Sequence, residues 1–446
     1  MSQQSPSRKL TRRDFLKLGA GALAAAAGAR FIPTALNKPS AARAGAQTPG
    51  KIVRLAASDG WIKVPGQVVI PGSDPLTPKY FSPDPLAPNG RTTYMFGFRD
   101  VTGWTEAEVV AQKGLAQHTA PMLWVNQGEE LYLTLTNVGF VLRPDLIDAH
   151  SVHWHGFRNA IPYFDGVPQT GVSVPLGRDF VYYYNPRDPG TYMYHCHVEE
   201  VEHIHMGMGG SIFIRPAQNL TAGATLYPSG KYAYNDGDGL TGYDREFAIV
   251  LSEVWAEMHW NNAHIQLTEW TDYHADFYMI NGRAYPDTLL PNRYDIDLGK
   301  QFEPGKTDTG DPLQYQPISA LITAKPGERV LLRFVNLGYE VQTMAVDEIK
   351  MTVVGKDASH LKGRDGTNLY YEANALRLAP GETFDAIFTA PAFSGGSGAS
   401  GLGYDAYSLY NRNYDNLTNG NGTGPGGQRT EIRIYPVLDP QLTPNT

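Results

Sequence analysis

Apolar and polar residues alternate along this chain in short runs separated by turn signals. The segment Asn126-Gln127-Gly128-Glu129-Glu130 opens a run in which Leu131, Leu133 and Leu135 alternate with Tyr132, Thr134 and Thr136. Side chains of an extended strand point alternately to its two faces, so this run predicts a turn followed by a half-buried strand. Lys325-Pro326-Gly327-Glu328 followed by Arg329-Val330-Leu331-Leu332-Arg333-Phe334-Val335-Asn336 has the same design. Further on, Gly177-Arg178-Asp179-Phe180 has its counterpart in Gly381-Glu382-Thr383-Phe384. The matching pieces keep their order, which predicts one β-domain present twice. Stretches of helical period are scarce. The expectation is an all-β chain of two Greek-key β-sandwiches, residues 50–216 and 245–437. They are joined by a linker or long surface loop at 217–244, rich in Gly, Asp, Asn and Tyr. The Gly/Asn-rich stretch from Tyr414 to Gly427 reads as a second loop.

The first 44 residues follow a different pattern. Thr11-Arg12-Arg13-Asp14-Phe15-Leu16-Lys17 matches a twin-arginine export signal, followed by an apolar Ala/Gly/Leu stretch and the small-residue pattern Ala42-Arg43-Ala44 of a signal-peptidase site. The apolar run from Leu18 to Ala29 is short and broken by glycine for a membrane span. A periplasmic or extracellular location is expected.

Charge then removes one class of partner. Residues 1–44 carry eight Lys/Arg and one acid, so 29 basic and 44 acidic side chains remain, a formal net charge of −15. Such a surface repels phosphate polymers, and no nucleic-acid partner is expected. The single cysteine, Cys196, excludes any internal disulfide. In an exported chain it is a free thiol, an intermolecular link or a metal ligand, and its neighbours point to metal.

Seven of the twelve histidines fall between His150 and His205. In His150-Ser151-Val152-His153-Trp154-His155-Gly156, an extended backbone points His153 and His155 to one face. In His195-Cys196-His197, at the end of the run Gly190-Thr191-Tyr192-Met193-Tyr194, both histidines share one face and the thiol takes the other. One strand then serves two metal sites, joined through the chain from Cys196 to its flanking histidines. Two histidines and a thiolate with a weak axial methionine select copper, because the soft sulfurs stabilise Cu(I) while imidazoles accept Cu(II). His150, Cys196, His203 and Met208 supply that set, with Gly207 freeing the backbone before the methionine. His205 offers a competing register. Structural zinc, the alternative metal, favours two or more thiolates, and this chain has one.

These residues resemble the multicopper oxidases, in particular His-x2-His-x-His-Gly at 150–156 and His-Cys-His-x5-His-x3-Gly-Met at 195–208. The resemblance is to the two-domain, laccase-like members whose type 1 copper lies in the first domain, and more distantly to copper nitrite reductases. It implies two cupredoxin-like domains, with copper as cofactor. It also implies a type 1 site at His150, Cys196, His203 and Met208, with His153 at a type 2 copper and His155, His195 and His197 at a type 3 pair. Asp165, within Phe164-Asp165-Gly166, matches the family's acid near the oxygen-reducing cluster, where it would help deliver protons. A trimer is the family expectation.

The second domain departs from that pattern. A trinuclear cluster in this family needs eight histidines, and the first domain supplies four. Where the first domain has His150, His153 and His155, the second has Gln342, Ala345 and Asp347; opposite His195, Cys196 and His197 stand Tyr410, Asn411 and Arg412. Domain two is therefore expected to lack copper. Its histidines at 259, 264, 274 and 360 lack paired spacing and read as ordinary surface or core residues, as does His118. Three functional readings follow. The four histidines meet four from another copy or another protein, and the chain is an oxidase taking electrons from a one-electron donor and reducing dioxygen. Or a mononuclear type 2 copper binds between subunits, as in the nitrite reductases, although His153 and His197 depart from their pattern. Or only the type 1 copper is filled, and the protein carries electrons or binds copper. The electron donor is expected to be a phenol, a metal ion or a cationic redox protein.

Overall fold

The run 131–139 forms a strand in which every second residue is buried, beginning with Leu131. This computed structural model describes residues 50–446 except 89, 222–224, 302–304 and 397–402, so the export signal and its cleavage pattern lie outside the described residues. Leu131–Gly139 pairs in parallel with Lys51–Ile62 and antiparallel with Asp179–Tyr184. Thr93–Asp100 completes a four-stranded sheet. The facing sheet runs Leu123–Asn126, Gly209–Arg215, Gly190–His195, His153–His155. Leu131, Leu133 and Leu135 fill the space between the sheets with Trp154, Tyr182, Tyr184 and Ile212.

The second domain repeats the scheme. Arg245–Val254 pairs in parallel with Arg329–Asn336, which pairs antiparallel with Thr383–Thr389. Its facing sheet runs Ile322–Ala324, Arg429–Ile434, Asp405–Asn411, Gln342–Ala345, Ala375–Leu378. The two cupredoxin-like β-sandwiches expected from the repeat are thus both present. Helices are short: Glu106–Val110, Glu200–His205 and Ala256–Ala263 are the α-helices among the described residues. None is long and apolar enough to cross a membrane.

In Arg329–Asn336 the alternation is lost, and every residue after Arg329 is buried. One face of this strand packs into its own sandwich, and Val335 on the other meets Met193 of the first domain together with Val250. The buried Arg333 would be costly unpaired. Its guanidinium lies 2.7 Å from Glu246 and 3.2 Å from Asp385. Asp385 in turn accepts from Thr191 at 2.5 Å and from Tyr234 at 2.5 Å, and Thr383 donates to the Thr191 carbonyl at 3.0 Å. This network fastens the Gly190–His195 strand to the second domain.

The joining segment is more structured than a loose linker, because Ala233, Tyr234 and Tyr243 pack against Leu331, Val354 and Ile387. The stretch from Tyr414 to Gly427 likewise turns Asn416 fully into the interior.

Candidate metal centre

His150 is held at the sheet edge by a reciprocal backbone pair with Val174, His150 N–H to Val174 O at 3.0 Å and the return bond at 2.7 Å. His203 sits on the short helix Glu200–His205, entered through Glu199 in the left-handed conformation, φ 45°. After that helix the chain reverses. Met208 N–H donates to His203 O at 2.9 Å, and Cys196 N–H donates to Met208 O at 3.0 Å. Gly207 makes the reversal at φ +119°, and a Cβ there would stand 2.7 Å from both the His118 Nδ1 and the Phe96 carbonyl, so no larger residue fits.

The reversal closes the first group. The Cys196 Sγ lies 3.4 Å from His203 Nδ1 and 3.9 Å from His150 Nδ1, and it accepts from Ser151 N–H at 3.4 Å. Ligand atoms of His150, Cys196 and His203 all fall within 4.8 Å of one another. All three residues and Met208 are buried. Burial, with His203 alongside, pushes the His150 imidazolium well below its usual range, which leaves a neutral ring with a lone pair. Burial also pulls His203 down, but the facing Asp148 carboxylate and the Cys196 thiol carry it up to about 10. Its buried Nε2 has no hydrogen-bond partner, and stands 3.8 Å from Asp148 and 3.9 Å from Glu199. A dry pocket with two imidazole nitrogens aimed at one thiol fits a soft, one-electron metal such as copper better than a water-filled site. His205 turns the other way, accepting from Trp255 N–H at 3.0 Å and packing on His259. The structure therefore brings His203, and not His205, to the thiol.

The second group lies across the strand from the first. His153 and His195 are direct cross-strand partners, and the ligand atoms of His153, His155 and His195 fall within 4.8 Å of one another. His153 Nδ1 donates to the Asp165 carbonyl at 2.7 Å, and His195 Nδ1 to the Cys196 carbonyl at 2.9 Å. A carbonyl oxygen only accepts, so in both rings Nδ1 carries the proton and Nε2 presents its lone pair, the tautomer a metal requires. Burial holds His195 down at about 3, and burial with His153 beside it lowers His155. His197 pairs its Nδ1 with Glu200 at 2.8 Å; its ring stands 5.0 Å from that of His153, outside the converging set of three. The Asp165 carboxylate sits 3.4 Å from His153 Nδ1, on the protonated side of that ring. Sequence spacing gives no sign of Asp148, which approaches His203 only through the fold; Glu199, four residues before His203, and Glu200, three residues after His197, are in reach of a helical reading.

Domain two has the same ladder and none of the ligands. Ala345 pairs with Tyr410 as His153 pairs with His195, which sets Gln342 and Asn411 at the positions of His150 and Cys196. Asn411 donates to Gln342 at 2.5 Å and to Gln428 at 2.7 Å, and Asn416 donates to Gln342 at 2.8 Å. The Tyr410 hydroxyl donates to Asp347 at 2.6 Å. Among the described residues, no potential metal-binding group of His, Cys, Asp and Glu includes a residue of domain two.

The sequence model of the multicopper oxidases matches residues 101–219, and a second multicopper oxidase model matches 245–396. Among curated relatives, Laccase-3 of Oryza sativa subsp. japonica is 27% identical over 244 residues, 54% of this chain and 34% of that protein. A copper resistance protein A homolog of Pseudomonas syringae pv. tomato is 24% identical over 398 residues, 82% of this chain and 57% of its own length. The chain thus spans between a third and about three fifths of these relatives. The blue copper oxidase of Nitrosomonas europaea superimposes with a TM-score of 0.56 at 19% identity, covering 86% of each chain. The multicopper oxidase mgLAC gives 0.56 at 19% identity, covering 87% of this chain and 88% of its own, and these two likenesses concern the fold. With matches in both domains that together span more than half its length, and with copper as the cofactor of that family, the chain belongs to the multicopper oxidases.

Proposed function

We propose that this protein is an exported copper-dependent oxidase. On this reading it takes single electrons from a donor at a type 1 copper held by His150, Cys196, His203 and Met208. It passes them to a copper site at His153, His155 and His195, with His197 alongside, where dioxygen is reduced. Copper, when bound, supplies the one-electron redox chemistry that these side chains lack. The observation that carries the reading is the adjacency of Cys196 and His195. One residue belongs to each group, and the Cys196 carbonyl also holds the His195 ring at 2.9 Å, so two short routes join the groups. The apolar wall keeps the Cys196 sulfur away from water, and Ser151 N–H donates to it at 3.4 Å.

Asp148 and Glu199 face the outer nitrogen of His203 and favour a cationic donor there, a metal ion or a basic redox protein, over an anionic one. Asp165 fixes the His153 ring through its carbonyl and offers a carboxylate at 3.4 Å from which a proton can be relayed. Beside His155 opens a cavity of about 280 Å³ lined in part by Asp357 and Glu382. That acidic lining disfavours an anion such as nitrite and admits a neutral molecule such as dioxygen. We further propose a homo-oligomer, with the trimer as the expected form, exported by the twin-arginine route to the periplasm or beyond.

A second reading, a type 1 copper protein that only carries electrons, is favoured by the amide network that fills the copper-ligand positions of domain two. Dioxygen uptake with a one-electron donor separates the two. The oxidase reading expects uptake by the copper-loaded protein that is lost in Cys196→Ser, and blue, redox-active protein without uptake would establish the carrier.

A further inference from the structure

We propose that the second domain braces the copper loop of the first, that this brace sets the redox preference of the type 1 copper, and that Glu253 is the residue positioning it. The proposal rests on the reading above that His150, Cys196, His203 and Met208 hold that copper.

Ala57 stands opposite Asn137 in domain one as Leu251 stands opposite Asn336 in domain two, so Asp59 and Glu253 occupy equivalent positions of the repeat. Both are buried carboxylates, and each holds the turn that follows the neighbouring parallel strand. Asp59 accepts from Val141 N–H at 2.9 Å and from Leu142 N–H at 2.8 Å. Glu253 accepts from Tyr339 N–H at 2.7 Å and from Glu340 N–H at 3.1 Å. The asparagines support the two turns alike, Asn137 Oδ1 accepting from Gly139 N–H at 3.0 Å and Asn336 Oδ1 from Gly338 N–H at 2.9 Å. In domain one this turn supports its own pocket, laying Phe140 against the His150 ring with centroids 5.5 Å apart. In domain two Gln342 stands where His150 would be, and there is no imidazole to support.

The turn of domain two reaches instead to residues 199–209 of domain one, which carry His203 and Met208. It touches them at both ends. The Tyr339 hydroxyl donates to the Val201 carbonyl at the start of the short helix. Leu337 lies against Gly209, next to Met208, where a Cβ would stand 3.2 Å from the leucine methyl. Between these points the His205 ring rests 5.4 Å from the Tyr339 ring and 5.6 Å from that of Tyr273, and its Nε2 accepts from Trp255 N–H at 3.0 Å.

Glu253 ties these parts together. Besides the two amides of the turn, it accepts from the Tyr273 hydroxyl at 3.1 Å and from Gln342 Nε2 at 2.5 Å. The turn wraps it so closely that a Cβ at Gly338 would collide with the carboxylate. One buried acid thus places Tyr339 and Tyr273, and it stands two residues before Trp255 in the chain. His203 and Met208 are two of the four copper ligands, so the position of this loop sets their distance from Cys196 and His150. Groups behind the ligands orient them and tune the metal. A loop held rigid denies Cu(II) the tetragonal arrangement that it prefers, and a loosened loop favours the oxidised ion.

The test uses the full-length protein with two changes and a control. Tyr339→Phe removes only the hydroxyl that reaches Val201, and Glu253→Gln keeps the size of the side chain while removing one accepting oxygen. Ile432→Ala, in the core of domain two, controls for general loss of stability. In the metal-free proteins, amide hydrogen exchange over residues 199–209 should be about threefold to tenfold faster in Tyr339→Phe and Glu253→Gln, the equilibrium weight of a lost hydrogen bond. In the copper-loaded proteins, the ratio of oxidised to reduced blue copper at a fixed applied potential should rise by the same order. Ile432→Ala should change neither quantity. Should Glu253→Gln fail to fold, Tyr339→Phe decides. An unchanged result for Tyr339→Phe in either measurement would overturn the proposal, as would an equal shift in Ile432→Ala. Unmutated protein that binds no blue copper would defeat the copper reading and the redox effect with it, whereas the metal-free exchange would still show whether the second domain braces the loop.

Discussion

In domain two Asn411 donates its amide to Gln342 at 2.5 Å, at the positions that Cys196 and His150 occupy in domain one. Two copies of one sandwich have filled the same pocket differently, one with a thiol and imidazoles, the other with a closed set of amides. The amides are fully buried, and each is a strong hydrogen-bonding group that cannot be left unpaired. Asn411→Ala should therefore destabilise the fold by about 1–3 kcal/mol by stranding its partners. Copper content and blue colour, which belong to the other domain, should not change. Denaturant unfolding and an absorption spectrum on one preparation check both halves of this prediction.

Arg333 carries a larger load. It sits with no exposure between Glu246 and Asp385, and it joins the strand bearing His195 to the second domain through Thr191. Removing one partner of a buried ion network costs about 3–5 kcal/mol, because the opposite charge stays behind. Arg333→Met should lower stability by that order in urea unfolding. A loss under about 1 kcal/mol would mean that Arg215, which lies 2.7 Å from Glu246, already neutralises the site.

The metal-free protein should lose stability as pH falls from about 6.5 towards 4. Five buried histidines have folded values below the usual 6.5: His118 and His195 at about 3, His259 at about 4, and His150 and His205 well below the usual value. Burial is the first cause in each. Over that window the unfolded chain binds more protons than the folded one, so stability rises with pH and is lost on acidification, by up to roughly 1.4 kcal/mol per histidine per pH unit. Glu253, Asp276 and Asp311, each raised by burial, oppose this. His203 has the opposite sign to the five: its contribution is present below 6.5 and is lost as pH rises through about 10. Thermal midpoints of the metal-free protein between pH 4 and 7 read the balance, and a midpoint that stays level or climbs on acidification would contradict it.

Cys196→Ser should abolish the intense absorption towards the red end of the visible spectrum, since the thiolate is its source. The structure places Cys196 in the core of domain one with no exposure, so the hydroxyl should also cost about 1–3 kcal/mol. Met208→Gln should keep a coloured site and lower its reduction potential, because a harder axial ligand stabilises Cu(II). Met206 is buried nearby and is the control. A shift with Met206→Gln and none with Met208→Gln in a redox titration would reassign the axial position.

The fold was legible because its signal is local. Leu131, Leu133 and Leu135 alternate with polar residues in the sequence and are buried in turn in the strand. The repeat was legible because the ladder His153 to His195 has its match in Ala345 to Tyr410. Both histidine groups were readable because period-two geometry alone separates Cys196 from His195. His203 against His205 was not decidable from spacing; the choice depends on a reversal at Gly207 and on Trp255 N–H of the other domain donating to the His205 ring. Asp148, far from His203 in the chain, meets it only in three dimensions, whereas Glu199 stands one helical turn before it.

An oxidase of this design passes electrons from the thiol-bound copper to the histidine-bound site and on to dioxygen. The direct measurement is to bleach the blue band anaerobically with a one-electron donor, admit dioxygen, and follow the return of colour in the unmutated protein and in His155→Ala. Rapid return in the first and a return slowed at least about a hundredfold in the second, through loss of more than roughly 2.7 kcal/mol of transition-state stabilisation, is the predicted result. Equal rates of return in both proteins would contradict it, because dioxygen would then be taking electrons from the blue site without the histidine group.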